Sequence, residues 1–126
     1  MKKGFTLLEL IIVVIIIGVL ATLGITQYGK AIGNAKNAFA KGTLGEMRKA
    51  AMGYYSLNSA WPATTSITVD LDGDTINDIT FTAPASTDFT FSSQAAGTGT
   101  ATKTATAGAG VNSWQINYSS GSLTAS

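Results

Sequence analysis

Residues 4–27 read GFTLLELIIVVIIIGVLATLGITQ, and the interpretation of that stretch decides the fold. From Phe5 to Ile25 the only charge is Glu9. About 21 residues rising 1.5 Å each cover the roughly 30 Å hydrocarbon layer of a bilayer as a single helix. Such a segment meets lipid or other helices of its own kind. Lys2 and Lys3 precede it, which by the positive-inside rule places the N-terminus in the cytoplasm and everything after Gln27 on the far side. Lys30, Lys36 and Lys41 dilute that asymmetry. A removable secretory signal is the competing interpretation, and it requires a small-x-small cleavage site after the apolar core. Ala21-Thr22-Leu23 is a poor version of one, and the apolar run passes without punctuation into a helical pattern.

Beyond Gln27 the apolar residues become a stripe. Tyr28, Ile32, Ala35, Phe39, Met47, Ala51 and Tyr54 recur at three- and four-residue steps, with Lys30, Lys36, Lys41, Arg48 and Lys49 largely off it. This spacing predicts an amphipathic helix with one face for a sheet to cover. Asn58, Trp61 and Pro62 end it. A continuous helix from Phe5 to Leu57 would run about 80 Å, more than the remaining chain can pack around, so its first half is expected to extend beyond the head.

From Ser66 onward Thr, Ser, Gly and Ala dominate, interrupted by alternating runs at Ile67–Val69, Ile79–Phe81, Phe89–Phe91 and Trp114–Tyr118. These predict four short antiparallel strands, each with one apolar face, forming one sheet over the helix stripe. The intervening GTGTATKTATAGAG is low in complexity and reads as a weak extra strand over Ala101–Ala107 or an exposed loop. The fold class is therefore α+β: an apolar helix over 5–27, an amphipathic helix over 28–60 and a β-sheet head over 61–126.

The totals exclude several functions. The 126-residue chain holds 8 basic and 7 acidic residues and no basic stripe of the kind that binds nucleic acid. It has neither cysteine nor histidine, which removes disulfides, thiol nucleophiles and the commonest general base and zinc ligand. A non-enzymatic protein is expected, and a lone membrane-anchored enzyme or binding module, the least favoured class, has no catalytic constellation to support it. The one stretch with the chemistry of a ligand site is VDLDGDTINDI, where Asp70, Asp72, Asp74 and Asp78 fall at the first, third, fifth and ninth positions of a loop. Oxygen ligands so spaced wrap calcium, with a backbone carbonyl near Ile76 filling another position. An EF-hand is excluded, because Gly73 is at the fourth position and Phe81 stands where a bidentate glutamate belongs. The loop resembles the hairpin calcium loops of integrin-type propeller repeats. A plain hairpin turned at Asp72-Gly73 is the alternative.

Lys3-Gly4-Phe5-Thr6-Leu7-Leu8-Glu9-Leu10 resembles the processing site of type IV prepilins and of their type II secretion relatives, the pseudopilins. The resemblance implies that residues 1–4 are a leader, that a membrane-embedded aspartic peptidase cuts between Gly4 and Phe5, and that the new amine of Phe5 is methylated. It implies a pilin that polymerises through its helix into an extracellular type IV pilus. Its partners would be copies of itself, the prepilin peptidase, inner-membrane assembly machinery and lipid before assembly. The precursor would lie in the inner membrane and the filament at the cell surface, with no cofactor required beyond possible Ca2+. Thr26 departs from the family's usual proline, while Gly18 and Gly24 remain weak points at which the helix could loosen. Tyr54-Tyr55 and Trp61-Pro62 are shared with major pseudopilins, the alternative assignment, whereas the Thr/Ser/Gly-rich sheet ending in Trp114 to Leu123 looks more like short cysteine-free pilins.

Glu9 is the residue such a segment has to explain, because a carboxylate at a membrane helix centre costs roughly 2.5–3.5 kcal/mol, and less toward the end. Its candidate partner is the amine of Phe5, in the same chain or, as the resemblance favours, in a neighbouring subunit. The competing interpretation is an acid that complements the helix N-terminus. The aromatics Phe5, Tyr28, Phe39, Tyr54 and Tyr55 fall where an apolar stripe puts them. Stacked rings carrying electrons, proposed for some similar pilins, are the lesser reading.

Overall fold

The computed structural model describes residues 4–126; Met1, Lys2 and Lys3, part of the expected leader, lie outside the described residues. Helix α1 runs from Leu7 to Asn58. The chain divides into two compact units, one ending at Ile32 and one beginning at Gly33.

In the first unit, every residue from Gly4 to Ile32 is exposed. The backbone is helical from Leu7 onward, through Gly18, Gly24 and Thr26. Threonine keeps the N–H that proline lacks, so the ladder is not interrupted at 26 on that account. Its hydroxyl donates to the Leu23 carbonyl at 2.9 Å, as Thr22 does to Val19 at 2.8 Å.

In the second unit the helix buries Gly33, Ala40, Thr43, Leu44, Met47, Ala50 and Ala51. Met47 and Ala51 belong to the expected stripe and Tyr54 is half-buried, but Ala35 and Phe39 are exposed. The buried face is turned from the expected one because it is built on small residues and on two polar side chains. Lys36 Nζ donates to Asp88 Oδ1 (2.8 Å) and to the Ala107 carbonyl (3.0 Å). Asn37 Nδ2 donates to the Gly110 carbonyl (3.0 Å), and its Oδ1 accepts from the Asn112 amide (3.0 Å) and Trp114 Nε1 (3.2 Å). The helix ends where Asn58 Nδ2 donates to the Tyr54 carbonyl and Ser59 adopts a left-handed conformation.

The single four-stranded sheet expected from the sequence is replaced by two sheets with six strands. Strands β1 (Ser66–Val69) and β2 (Ile79–Thr82) form an antiparallel hairpin closed by the aspartate-rich loop, with Ile67 opposite Phe81 and Val69 opposite Ile79. Strands β3 (Phe89–Gln94), β4 (Thr98–Lys103), β5 (Trp114–Asn117) and β6 (Leu123–Ala125) form an antiparallel meander in that order. Strand β4 starts three residues ahead of the expected weak strand and gives way to a 3-10 turn at Ala105–Ala107. Strand β4 thus lies within the low-complexity stretch: alternating Gly99 and Ala101 present little side-chain bulk, and both are buried. A Cβ on Gly99 would lie 2.8 Å from Met47 Sδ and 2.8 Å from Tyr118 Oη. Glycine is what lets β4 approach the helix there.

The core joins Ala40, Leu44, Met47 and Ala51 of the helix to Ile67, Val69, Phe81, Phe89, Ala101, Val111, Ile116 and Tyr118. Rings pack around it, Phe39 with Phe89 and Phe91, and Tyr55 with Trp61, whose centroids are 4.3 Å apart. These contacts account for Phe39 and Tyr55 by packing.

Candidate processing and assembly site

The helix start is built by Thr6 and Glu9. Gly4, Phe5 and Thr6 are outside the helix, and the ladder opens with the Leu10 amide donating to the Thr6 carbonyl at 3.2 Å. Four N–H groups at such an end have no partner within the ladder. The sequence Thr6-Leu7-Leu8-Glu9 supplies two bonds of a capping box. The Glu9 amide donates to Thr6 Oγ1 at 3.3 Å, and Glu9 Oε2 accepts from the Thr6 amide at 2.9 Å. The Thr6 hydroxyl donates to that same Oε2 at 2.9 Å. In the single chain the Glu9 carboxylate is therefore satisfied by its own helix end, the competing interpretation raised from sequence. Both bonds fall on Oε2.

Gly4 and Phe5, the residues flanking the expected cut, stand side by side in exposed non-helical backbone, with Phe5 88% exposed. Thr6 was not singled out by the sequence reading. Its signal was the T-x-x-E spacing before an apolar run, a recognised helix-start signature.

Along the following turns Leu7, Leu8 and the Ile and Val residues from Ile11 to Val19 are 45–78% exposed. The helix is long and apolar enough to cross a membrane, and none of that window is buried. An apolar surface of this extent in contact with water is unfavourable at about 25 cal/mol per Å2, so it requires lipid or other helices.

The aspartate loop brings Asp70, Asp72 and Asp78 together, with one carboxylate oxygen from each lying within 4.8 Å of the others. Asp74 is not part of that group. Its Oδ1 accepts from the Ile76 amide at 2.8 Å. The same carboxylates hold the turn: Asp70 accepts from Gly73 (2.7 Å) and Thr75 (2.9 Å), Asp72 from Asp74 (3.2 Å), and Asp78 from Leu71 (2.8 Å). The Gly73 bond foremost, with further backbone bonds, holds the Asp70 carboxyl below its ordinary range. Gly73 occupies the left-handed region at φ +79°, and so does Thr75 at φ +73°, an unusual setting for a β-branched residue. Hard oxygen ligands converging in a loop of this kind suit Ca2+, with Asp70, Asp72 and Asp78 as the set that fits.

The first 25 residues match the family model of the prokaryotic N-terminal methylation motif, over residues 1–25. The chain is 33% identical over 85 residues to the fimbrial protein EcpC of Eikenella corrodens, an overlap of 65% of this chain and 56% of that protein. It is 46% identical over 50 residues to the type IV major fimbrial protein FimA of Dichelobacter nodosus, an overlap of 40% of this chain and 32% of that protein. The chain thus spans about half the length of the first of these relatives and about a third of the second. Both are fimbrial proteins, and neither is named for a catalytic activity. No solved structure matches the chain.

Proposed function

We propose that this chain, a type IV pilin-like protein carrying the N-terminal methylation motif of prepilins, is a structural subunit that polymerises through α1 into an extracellular filament. The observation that carries the reading is the apolar exposed segment from Phe5 to Ile25, helical from Leu7, with a single carboxylate, Glu9, shortly after a Gly4–Phe5 peptide bond that lies outside the helix. As a precursor the segment resides in the inner membrane, with residues 1–4 as a leader on the cytoplasmic side. A prepilin peptidase cuts after Gly4, and the Phe5 amine is methylated. Assembly machinery then moves the subunit from lipid into a bundle of identical helices. Within the bundle the Phe5 amine of one subunit meets Glu9 of a neighbour, so both charges are neutralised in an apolar interior where either alone costs several kcal/mol.

The test is N-terminal sequencing of filaments sheared from the surface of cells that express the chain. Filaments containing it and beginning at N-methylated Phe5 support the reading; filaments that lack it overturn it.

A second reading, a major pseudopilin, is supported by the Tyr54-Tyr55 helix end and the Trp61-Pro62 turn, where Tyr55 and Trp61 stack. In that case deletion abolishes protein secretion while surface filaments persist. Under either reading the aspartate loop of the head takes one Ca2+ through Asp70, Asp72 and Asp78, which screens the mutual repulsion of those carboxylates and fixes the hairpin. A soluble head or full chain whose thermal stability is indifferent to chelator would reduce the cluster to a turn.

A further inference from the structure

The bond expected to be cut joins Gly4 to Phe5, and its carbonyl belongs to Gly4. If α1 began two residues earlier, that carbonyl would be the ladder acceptor of the Leu8 amide, and the Phe5 carbonyl that of the Glu9 amide, by the i to i−4 rule of the helix. In the structure neither bond is made. The Glu9 amide is taken by Thr6 Oγ1, the Thr6 amide by Glu9 Oε2, and the ladder opens at the Thr6 carbonyl.

We propose that Thr6 is a positioning residue for prepilin processing: by closing the capping box with Glu9 it ends α1 at Leu7 and keeps the scissile Gly4 carbonyl out of the helix, where a peptidase can take it. The inference rests on the reading that the chain is processed after Gly4.

The physical case is one of competing acceptors. A backbone N–H near the edge of an apolar layer finds little water and is costly to leave unpaired. With the Thr6 hydroxyl removed, the nearest replacement acceptor for the Glu9 amide is the Phe5 carbonyl, and one residue earlier the Leu8 amide turns to the Gly4 carbonyl. The helix then grows toward the leader and sequesters the carbonyl that hydrolysis must attack. Peptide hydrolysis adds water across that C–N bond, leaving the Gly4 carboxylate on the leader and the amine on Phe5, and a carbonyl held in a helix ladder is neither extended nor free to be polarised. Gly4 opposes this growth, because glycine is a poor helix former. Thr6 supplies the active stop.

The test follows cleavage of the full-length precursor in membrane vesicles by a prepilin peptidase, comparing the wild type with Thr6→Ala and Thr6→Ser. Removing a cap shifts the position of a helix start about fivefold. Thr6→Ala is therefore expected to raise KM, by at most about fivefold, with kcat little changed, because only the non-helical fraction of the substrate binds. Thr6→Ser, which keeps the hydroxyl, restores the wild-type KM. Amide exchange adds a second readout: the Leu8 N–H becomes protected in Thr6→Ala and is unprotected in the wild type and in Thr6→Ser. Cleavage of Thr6→Ala with the wild-type KM overturns the proposal, and so does a Thr6→Ser variant impaired to the same degree. A wild-type chain that is not cut after Gly4 at all refutes the processing reading itself and is told apart by the wild-type control.

Discussion

Tyr118 and Ser93 share a 2.7 Å hydrogen bond at the centre of the head, between a side chain with no solvent exposure and one with almost none. The direction of that bond is fixed by its neighbour. Ser93 has one hydroxyl proton and donates it to the Pro62 carbonyl at 2.7 Å, so Tyr118 donates to Ser93. The chain of bonds ties the turn after α1, strand β3 and the end of β5 into one unit. Ser93→Ala strands both the Tyr118 hydroxyl and the Pro62 carbonyl, whereas Tyr118→Phe removes only a donor that Ser93 does not need. Denaturant unfolding of the full chain in detergent is expected to show a loss of about 1–3 kcal/mol for Ser93→Ala and about 1 kcal/mol for Tyr118→Phe.

The same tyrosine predicts an alkaline limit. Burial raises the Tyr118 hydroxyl above its ordinary value of 10.0, so the folded state holds that proton more tightly than the unfolded one. Its contribution is complete below pH 10 and falls as pH rises from there through the folded value. A thermal melt series from pH 9 to 12 checks this: the wild type should lose melting temperature faster above about pH 10 than Tyr118→Phe does.

Gly99 is predicted to tolerate no side chain. Its Cβ would press on Tyr118 Oη and Met47 Sδ; methionine can bend away, but the tyrosine is held by its bond to Ser93. Gly99→Ala is expected to cost about 1–3 kcal/mol by overpacking, read from the same unfolding curves.

Glu9→Gln separates two roles of one residue. Glutamine serves the third position of a capping box as glutamate does, so the helix start survives while the charge is lost. In the proposed filament the Phe5 amine would then be left uncompensated, at a cost of about 3–5 kcal/mol for a broken buried pair. The expected result is a helical, membrane-inserted subunit that yields no sheared filaments, scored by electron microscopy and immunoblot.

For the aspartate loop, millimolar Ca2+ is expected to raise the melting temperature of the wild type and leave Asp70→Ala unmoved. The effect should fade in acid once Asp70 is protonated, which backbone bonds to its ionised form defer to below its ordinary value of 3.8. Its share is present above pH 3.8 and is lost as pH falls through the folded value. Calorimetry of the same two chains with magnesium as control distinguishes binding from general screening.

The long helix was legible from an apolar run of membrane length at Phe5–Ile25 followed by a stripe at three- and four-residue steps, and the strands from their alternation, as at Phe89–Phe91. The face of the helix that meets the sheets was legible only in part, at Met47, Ala51 and Tyr54. Further toward its start it is made of Gly33, Ala40 and Thr43 with Lys36 and Asn37 at its margin, and a search for large apolar residues passes over a contact whose feature is small size and whose polar members are satisfied by loops some 50–75 residues away. Strand β6 has no buried side chain to betray it and exists because the Trp114–Ile116 backbone offers it a partner. At the site, the acid and the expected cut were visible together, but Glu9 was weighed as a charge and not as a capping group. Two of its three local bonds are to Thr6 main chain or from its own main chain, and backbone accounts are the least conspicuous in a string of letters.

The threonines of the apolar segment have one further consequence. Thr6, Thr22 and Thr26 all spend their hydroxyl protons within one turn of themselves, and Glu9 takes two donors from the same end. Those hydroxyls ask nothing of whatever surrounds the helix, and only the charge of Glu9 still needs a partner. Apart from that charge the segment is portable: it can exchange a lipid neighbour for a protein one without renegotiating these hydrogen bonds.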